Sequence, residues 1–350
     1  MIVSVIIFLL IFGILVTSHE FGHFIIAKTG GIRVKEFFIG MGPTIFKKQK
    51  GETLYSIKLL PVGGACVFDG MDPISEEKES FDERAFLNAP VWRRIATLFA
   101  GPFANFIIAY ILAVILVSFS LWNFPVIHKL TEESAAAEAG MQVGDTIISI
   151  DGEKVYNSQE VTLISQFAEG SPMDIVYERD GQKYSTTLQP KYSEKEHRYY
   201  MGVYMGEYEN IKGFQAFKYA WYEVRFSLKN TYRSLALLIK GKLSADDVSG
   251  PVGVVKIVDE VYEETSQYGI PMVILNMLSL TVLLSVNLGV MNLLPFPALD
   301  GGRLVFQFIE VIFGKPVPPE KEGYVHMFGM ILLIGLMVFV LFNDIMKFTR

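Results

Sequence analysis

Four stretches of this chain, residues 1–18, 95–127, 265–299 and 323–343, contain no Asp, Glu, Lys or Arg. A helix needs about 20 apolar residues to cross roughly 30 Å of hydrocarbon, so each stretch predicts a membrane-spanning helix. The first continues past His19 and Glu20 through Ala27, and it lacks the basic start and small-residue cleavage site of a signal peptide, so a retained helix is expected. With 51% hydrophobic against 19% charged residues and a mean hydropathy of +0.35, a soluble cytosolic enzyme is excluded. The net charge of −6 comes with no basic block dense enough for a nucleic-acid backbone, so no nucleic-acid partner is expected. Cys66 is the only cysteine, which leaves any metal to histidines and carboxylates.

Four crossings put both termini on one side. The loop from Lys28 to Arg94 holds 11 of the 31 basic residues, which by the positive-inside bias places it in the cytoplasm and the termini outside a plasma (inner) membrane. The expected divisions are 1–27, first span; 28–91, cytoplasmic β-rich segment; 92–122, second span; 123–207, outer globular domain; 208–264, amphipathic helical connector; 265–302, third span with a broken end; 303–350, loop and fourth span. In 28–91, β-rich runs alternate with Gly-Pro and Gly-Gly punctuation at Met41-Gly42-Pro43 and Pro61-Val62-Gly63-Gly64, which reads as a small sheet or re-entrant hairpin. In the outer domain, Asp151-Gly152 and Asp180-Gly181 are hairpin turns between alternating strands. From Phe214 the apolar period becomes helical through Trp221, Val224, Leu228 and Leu235, either covering the domain's own core or lying on lipid.

The chemistry lies inside the first span. In His19-Glu20-Phe21-Gly22-His23 the two histidines are four residues apart, on one helix face, and can reach a single metal while Glu20 stands beside them at a bound water. Ionisable groups at this depth are costly unless paired, coordinated or facing a wet cavity. A third ligand is required. His128, His197 and His326 read as surface or boundary residues, whereas Asp300 follows Asn292-Leu293-Leu294-Pro295-Phe296-Pro297-Ala298-Leu299. Pro295 and Pro297 must break the helix, and broken backbone at membrane depth is tolerated only within protein or a wet cavity. The same stretch also reads as a turn ending the third span, with Asp300 capping the next helix.

Taken together, HExxH at 19–23, Gly101-Pro102-Phe103-Ala104-Asn105 in the second span and the Pro-x-Pro-x-Leu-Asp-Gly-Gly run ending at Gly302 resemble the site-2 protease family of intramembrane zinc metalloproteases. The resemblance is to the RseP-type bacterial branch with a single PDZ domain outside the membrane; Gly250-Pro251-Val252-Gly253, Gly63-Gly64 and the Ala139-Gly140, Gly144-Asp145 and Asp151-Gly152 pattern of the outer domain fit it too. It implies a polytopic α-helical membrane protein with four transmembrane helices, a membrane-associated β-loop and an α+β PDZ domain. It further implies zinc on His19, His23 and Asp300, Glu20 as general base, Asn292 on substrate backbone, and Gly63-Gly64 in a loop that takes substrate as an added strand. Gly101 and Asn105 would pack the second span against the site. Substrates would be pre-trimmed single-span membrane proteins, such as anti-sigma factors or signal-peptide remnants. The PDZ ligand loop should precede Val126, where Asn123-Phe124-Pro125 does not match the family's Gly-rich sequence. The rival readings are a non-catalytic PDZ scaffold, a metal-ion transporter, and a membrane zincin of another fold.

Overall fold

The computed structural model describes residues 1–71, 82–194, 198–242 and 249–349; His197 lies outside the described residues. In chain order the elements are α1 (Ile2–Thr29), β1 (Val34–Lys50), β2 (Thr53–Phe68), α2 (Val91–Phe119), β3 (Leu121–Leu130), α3 (Ala135–Glu138), β4 (Thr146–Ile150), β5 (Glu153–Lys154) and α4 (Ser158–Phe167). They continue as β6 (Met173–Arg179), β7 (Gln182–Leu188), β8 (Lys191–Ser193), β9 (Arg198–Tyr200), β10 (Val203–Asn210), α5 (Gln215–Ile239), α6 (Pro251–Ser266), α7 (Ile270–Asn292), α8 (Asp300–Phe313) and α9 (Pro319–Thr349). Residues 1–113 with 227–350 form one compact unit and 114–226 a second.

In the first unit, α1, α2, α7 and α9 are long and apolar enough to cross a membrane. α1 is apolar all round, yet only Ser4, Ile11, Leu15, His19, Gly22, His23 and Ala27 are buried, a stripe at helical spacing. Ile2, Ile6, Leu10, Ile14 and Phe21 on its other faces are exposed, which suits lipid as solvent. Ile11 and Leu15 meet Val258 of α6 and Met277 of α7. The α6 N-terminus is held from α9: Asp344, 2% exposed, accepts from the backbone N–H of Gly253 at 2.8 Å and of Gly250 at 3.3 Å. A Cβ on Gly250 would sit 2.9 Å from that carboxylate, so Gly250-Pro251-Val252-Gly253 is a helix start built around a neighbour's carboxylate.

The β-rich segment is a sheet, as the sequence predicts. Val34–Ile39 of β1 pairs on one side with Gly64–Phe68 and on the other with Leu54–Ile57, and the latter also pairs with residues 46–49. Gly64–Phe68 is therefore an edge strand, and β2 runs beside α1. Phe68, Val34, Ile32 and Phe86 pack with Ala27, Leu98 and Leu304, joining the base of the sheet to α1, α2 and α8. Arg94 of α2, 5% exposed, pairs with Glu310 of α8 at 2.5 Å.

The third expected span ends earlier than its charge-free run. α7 stops at Asn292 and α8 starts at Asp300, with Pro295 and Pro297 between them. The connector expected over 208–264 resolves into the end of β10 followed by two helices, α5 and α6.

The second unit is a sheet of order β10-β3-β4-β6-β7, with β5 on β4, packed with α3 and α4 over Ile127, Ile147, Ile150, Val161, Ile164, Met173 and Ile175. Asp151 and Asp180 have φ of 50° and 51°, and Gly152 and Gly181 both 76°, so both Asp-Gly pairs make the two-residue turns read from sequence. The charge-free run ending at Ile127 is helical only to Phe119, because from Leu121 the chain enters β3 and pairs with β10. Within this unit α5 docks on the start of α4: Arg225 donates to Glu160 at 2.6 Å and to the Lys154 carbonyl at 3.0 Å, and Tyr222 stacks on Tyr156. A cleft of about 420 Å³ is lined by Thr162, Ser165 and Gln166 of α4 and by the chain from Tyr199 to Met205. Of the stretch ahead of Val126, Asn123 lines it.

Glu223 of α5 lies beside Glu160, and burial together with that like charge pushes its carboxyl from the usual 4.5 up to about 7. Between these values the folded protein binds the proton that the unfolded chain has lost, so stability falls as pH rises from about 4.5 to about 7. Glu223→Gln is expected to flatten that slope and to raise the thermal midpoint at pH 8 relative to pH 5, checked by melting the full chain in detergent at both pH values.

Candidate metal centre

One turn of α1 places His19 and His23 on the stripe it buries against α2, at 8% and 5% exposure. Their Nε2 atoms are 3.2 Å apart. Asp300, the first residue of α8, brings Oδ2 to 3.1 Å from His19 Nε2 and 3.2 Å from His23 Nε2. Among the described residues this is the one group of three or more His, Cys, Asp or Glu placed to hold a metal ion.

The protonation pattern follows from the neighbours. His23 Nδ1 lies 2.8 Å from the Thr97 carbonyl, which can only accept, so Nδ1 carries the proton and the neutral ring keeps a lone pair on Nε2. His19 Nδ1 lies 3.2 Å from Asn105 Nδ2, and Ser18 Oγ donates to Asn105 Oδ1 at 3.3 Å, an amide whose two ends can be exchanged by a flip. An imidazole that gives Nε2 to a cation carries its proton on Nδ1, so the amide oxygen is the end His19 requires. Asp300 Oδ2 is buried without a hydrogen-bond donor. With Nδ1 protonated on both rings, three lone-pair atoms face one another, an arrangement that a shared cation relieves. Their spacing is close to the ~3.3 Å separating ligand atoms around a tetrahedral metal with bonds of about 2.0–2.1 Å, and two imidazoles with a carboxylate suit zinc.

Glycines allow this approach. A Cβ on Gly101 would lie 2.2 Å from His23 Nε2, and one on Gly22 would lie 2.3 Å from the Ala100 carbonyl oxygen. The α2 backbone can therefore come close enough for Thr97 and Asn105 to reach the imidazoles. Asn105 is fixed in turn, since its carbonyl accepts from Ser285 Oγ of α7 at 2.7 Å. On α8, Gly301 and Gly302 pass so close to Leu293, Leu294 and Phe296 that any side chain would collide with them.

Glu20 projects beside the trio. Its Oε2 accepts from the Cys66 backbone N–H at 2.8 Å, on the side of the Gly64–Phe68 strand away from β1. Gly64 lies next to it, where a Cβ would be 3.5 Å from Glu20 Cγ. Gly63 has φ +81° and is covered by Met41. Asn292 ends α7 and is half-buried where the helix gives way to the Pro-rich loop.

The sequence reading treats His326 as a boundary residue, and the structure corrects it. His326 is 6% exposed and accepts the Ala298 N–H on Nδ1 at 2.9 Å. Position near the start of a span says nothing about which neighbour covers that face. The Thr97 carbonyl and the Cys66 amide carry no sequence signal, because every non-proline residue has both groups. Asn105 was visible as part of a motif, but its contact with His19 was not.

A model of peptidase family M50 matches residues 7–336. Regulator of sigma-W protease RasP of Bacillus subtilis is 32% identical, covering 98% of this chain and 98% of that protein. Zinc metalloprotease RasP of Bacillus licheniformis is 33% identical, covering 98% and 99%, and its namesake in Geobacillus kaustophilus is 32% identical, covering 99% and 98%. Among solved structures, the PDZ domain of an SdrC-like protein from Listeria monocytogenes overlaps 25% of this chain and 87% of its own at 18% identity, with a TM-score of 0.21.

Gly101→Ala is expected to weaken zinc retention at least about tenfold, the scale on which metal sites respond to disturbed ligand support. Gly335→Ala, whose Cβ would meet nothing within 4 Å, should leave it unchanged. Zinc content of purified protein after graded chelator washes, with helicity by circular dichroism as the folding control, decides this.

Proposed function

From a chain that belongs to peptidase family M50, the site-2 protease family of zinc metalloproteases, we propose a protease that hydrolyses peptide bonds within or beside the membrane-spanning segments of single-span proteins already trimmed outside. The observation that carries this reading is the convergence of Asp300 on both Nε2 atoms, with Glu20 one residue along the same helix.

His19, His23 and Asp300 would hold zinc, which when bound would supply Lewis-acid polarisation of the scissile carbonyl and a water acidic enough to act as nucleophile near neutral pH. Glu20 takes the proton from the attacking water and delivers it to the departing amide nitrogen. A transmembrane helix hides its carbonyls in its own hydrogen-bond ladder and must unwind before attack. The Gly64–Phe68 strand has an edge beside Glu20, where unwound backbone can pair as an added strand. Gly64, without a side chain of its own, lies beside Glu20 at that edge, and Gly63 precedes it. Asn292, at the end of α7, binds substrate backbone. The 28–91 segment faces the cytoplasm, and the termini and the second unit, read as a PDZ-type domain, face outward from the plasma membrane. That domain acts as a size filter against untrimmed ectodomains. Anti-sigma factors and signal-peptide remnants have the required single span.

A metal site kept for scaffolding alone has no use for Glu20, which gives the experiment. With a single-span model substrate in detergent, Glu20→Gln is expected to keep about one zinc per chain and lose cleavage by about 10²-fold or more. Asp300→Ala should lose both zinc and cleavage. Unchanged processing by Glu20→Gln would favour the scaffold, and an Asp300→Ala protein that retains zinc would point to a zincin with a different third ligand.

A further inference from the structure

Asp300 reaches the two imidazoles from the end of a loop with few means of holding its shape. Pro295 and Pro297 have no N–H to donate. Of the remaining amides, Leu293 and Leu294 donate back to Val290 and Met291, Phe296 donates to Leu294 at 2.7 Å, and Leu299 donates to Phe296 at 3.1 Å. These bonds close the loop on itself or on the end of α7. The Ala298 amide is the exception, since it donates to His326 Nδ1 of α9 at 2.9 Å. Ala298 has φ +78°, a left-handed conformation that a residue with a Cβ holds only when its surroundings impose it.

α9 is built to reach this point. Gly329, one turn beyond His326, leaves room for Pro297, where a Cβ would lie 2.3 Å from the proline Cβ and 2.5 Å from its carbonyl oxygen. Phe306 of α8 packs against the His326 ring with centroids 5.5 Å apart. The imidazole is 6% exposed, and its Nε2 lies 3.7 Å from Glu322 Oε1, beyond hydrogen-bond range. The Nδ1 bond to Ala298 is the close polar contact the ring makes.

We propose that His326 is a positioning residue for the metal centre, whose Nδ1 pins the Ala298 amide and thereby fixes the backbone that presents Asp300. This rests on the reading of His19, His23 and Asp300 as the zinc ligands, and it adds a fourth-span residue on which that ligand set depends. Asn and Gln separate the hydrogen bond from packing: Asn Oδ1 falls where Nδ1 stands, whereas Gln fills more of the imidazole volume but carries its oxygen where Nε2 stands.

The test uses full-length protein in detergent, with two readouts: the zinc dissociation constant by chelator competition, and hydrogen exchange of the Phe296, Ala298 and Leu299 amides in metal-free protein. His326→Gln and His326→Leu are expected to weaken zinc binding about tenfold and to speed exchange at Ala298, with His326→Asn within about twofold of the parent in both. If His326→Gln binds zinc as tightly as the parent, or His326→Asn fails as His326→Gln does, His326 only packs and the proposal is overturned. A parent that takes up no zinc would overturn the metalloprotease reading and this proposal with it, an outcome visible before any variant is made.

Discussion

Three buried lone-pair atoms within 3.2 Å of one another, on His19, His23 and Asp300, are the constraint to which the first unit is fitted. Such a set is repulsive without a cation, and apolar surroundings make both the repulsion and its relief large. Backbone is therefore brought in to fix each partner. The Thr97 carbonyl orients one imidazole, Asn105 the other, and the His326-bound loop the carboxylate. The glycines at 22, 101, 301 and 302 sit where helices or loop must approach closer than a methyl group permits.

The geometry of a helix explains why the break between α7 and α8 lies next to Asp300. An unbroken helix would carry Asp300 past the site on its own axis, with every amide used in the ladder. Two prolines end the ladder and turn the chain, and the freed Ala298 amide is taken up by α9. The Arg94–Glu310 pair then ties the far end of α8 to α2, the helix that supports both imidazoles. Removing one partner of such a buried pair leaves a stranded charge, which costs about 3–5 kcal/mol.

The β segment meets Glu20 through the Cys66 amide. Glu20 is held by the amide of the Gly64–Phe68 strand, so its carboxylate and the side of that strand away from β1 are neighbours. An edge strand leaves a row of backbone groups unpaired, which is costly unless something covers or pairs with it. Contact with α1 covers part of that row.

Much of this was legible without coordinates. Charge-free runs located the crossings because lipid tolerates no unpaired charge, HExxH spacing put two imidazoles on one face because a helix repeats every 3.6 residues, and Asp-Gly pairs marked hairpins because both turn positions need positive φ. The limits of the runs were less reliable. Residues 121–127 are as apolar as a span but pair as β3, since composition does not say whether an apolar residue faces lipid or a partner strand, whereas the break within 265–299 was legible from Pro295 and Pro297. What only tertiary structure decided was the company each ligand keeps: Thr97 and Asn105 from α2, the Cys66 amide, and His326, which from sequence looked like a residue at a membrane boundary. Backbone carbonyls and amides are the same at nearly every position along a chain, so which of them meets a given side chain is settled by how helices pack and not by the letters that encode them.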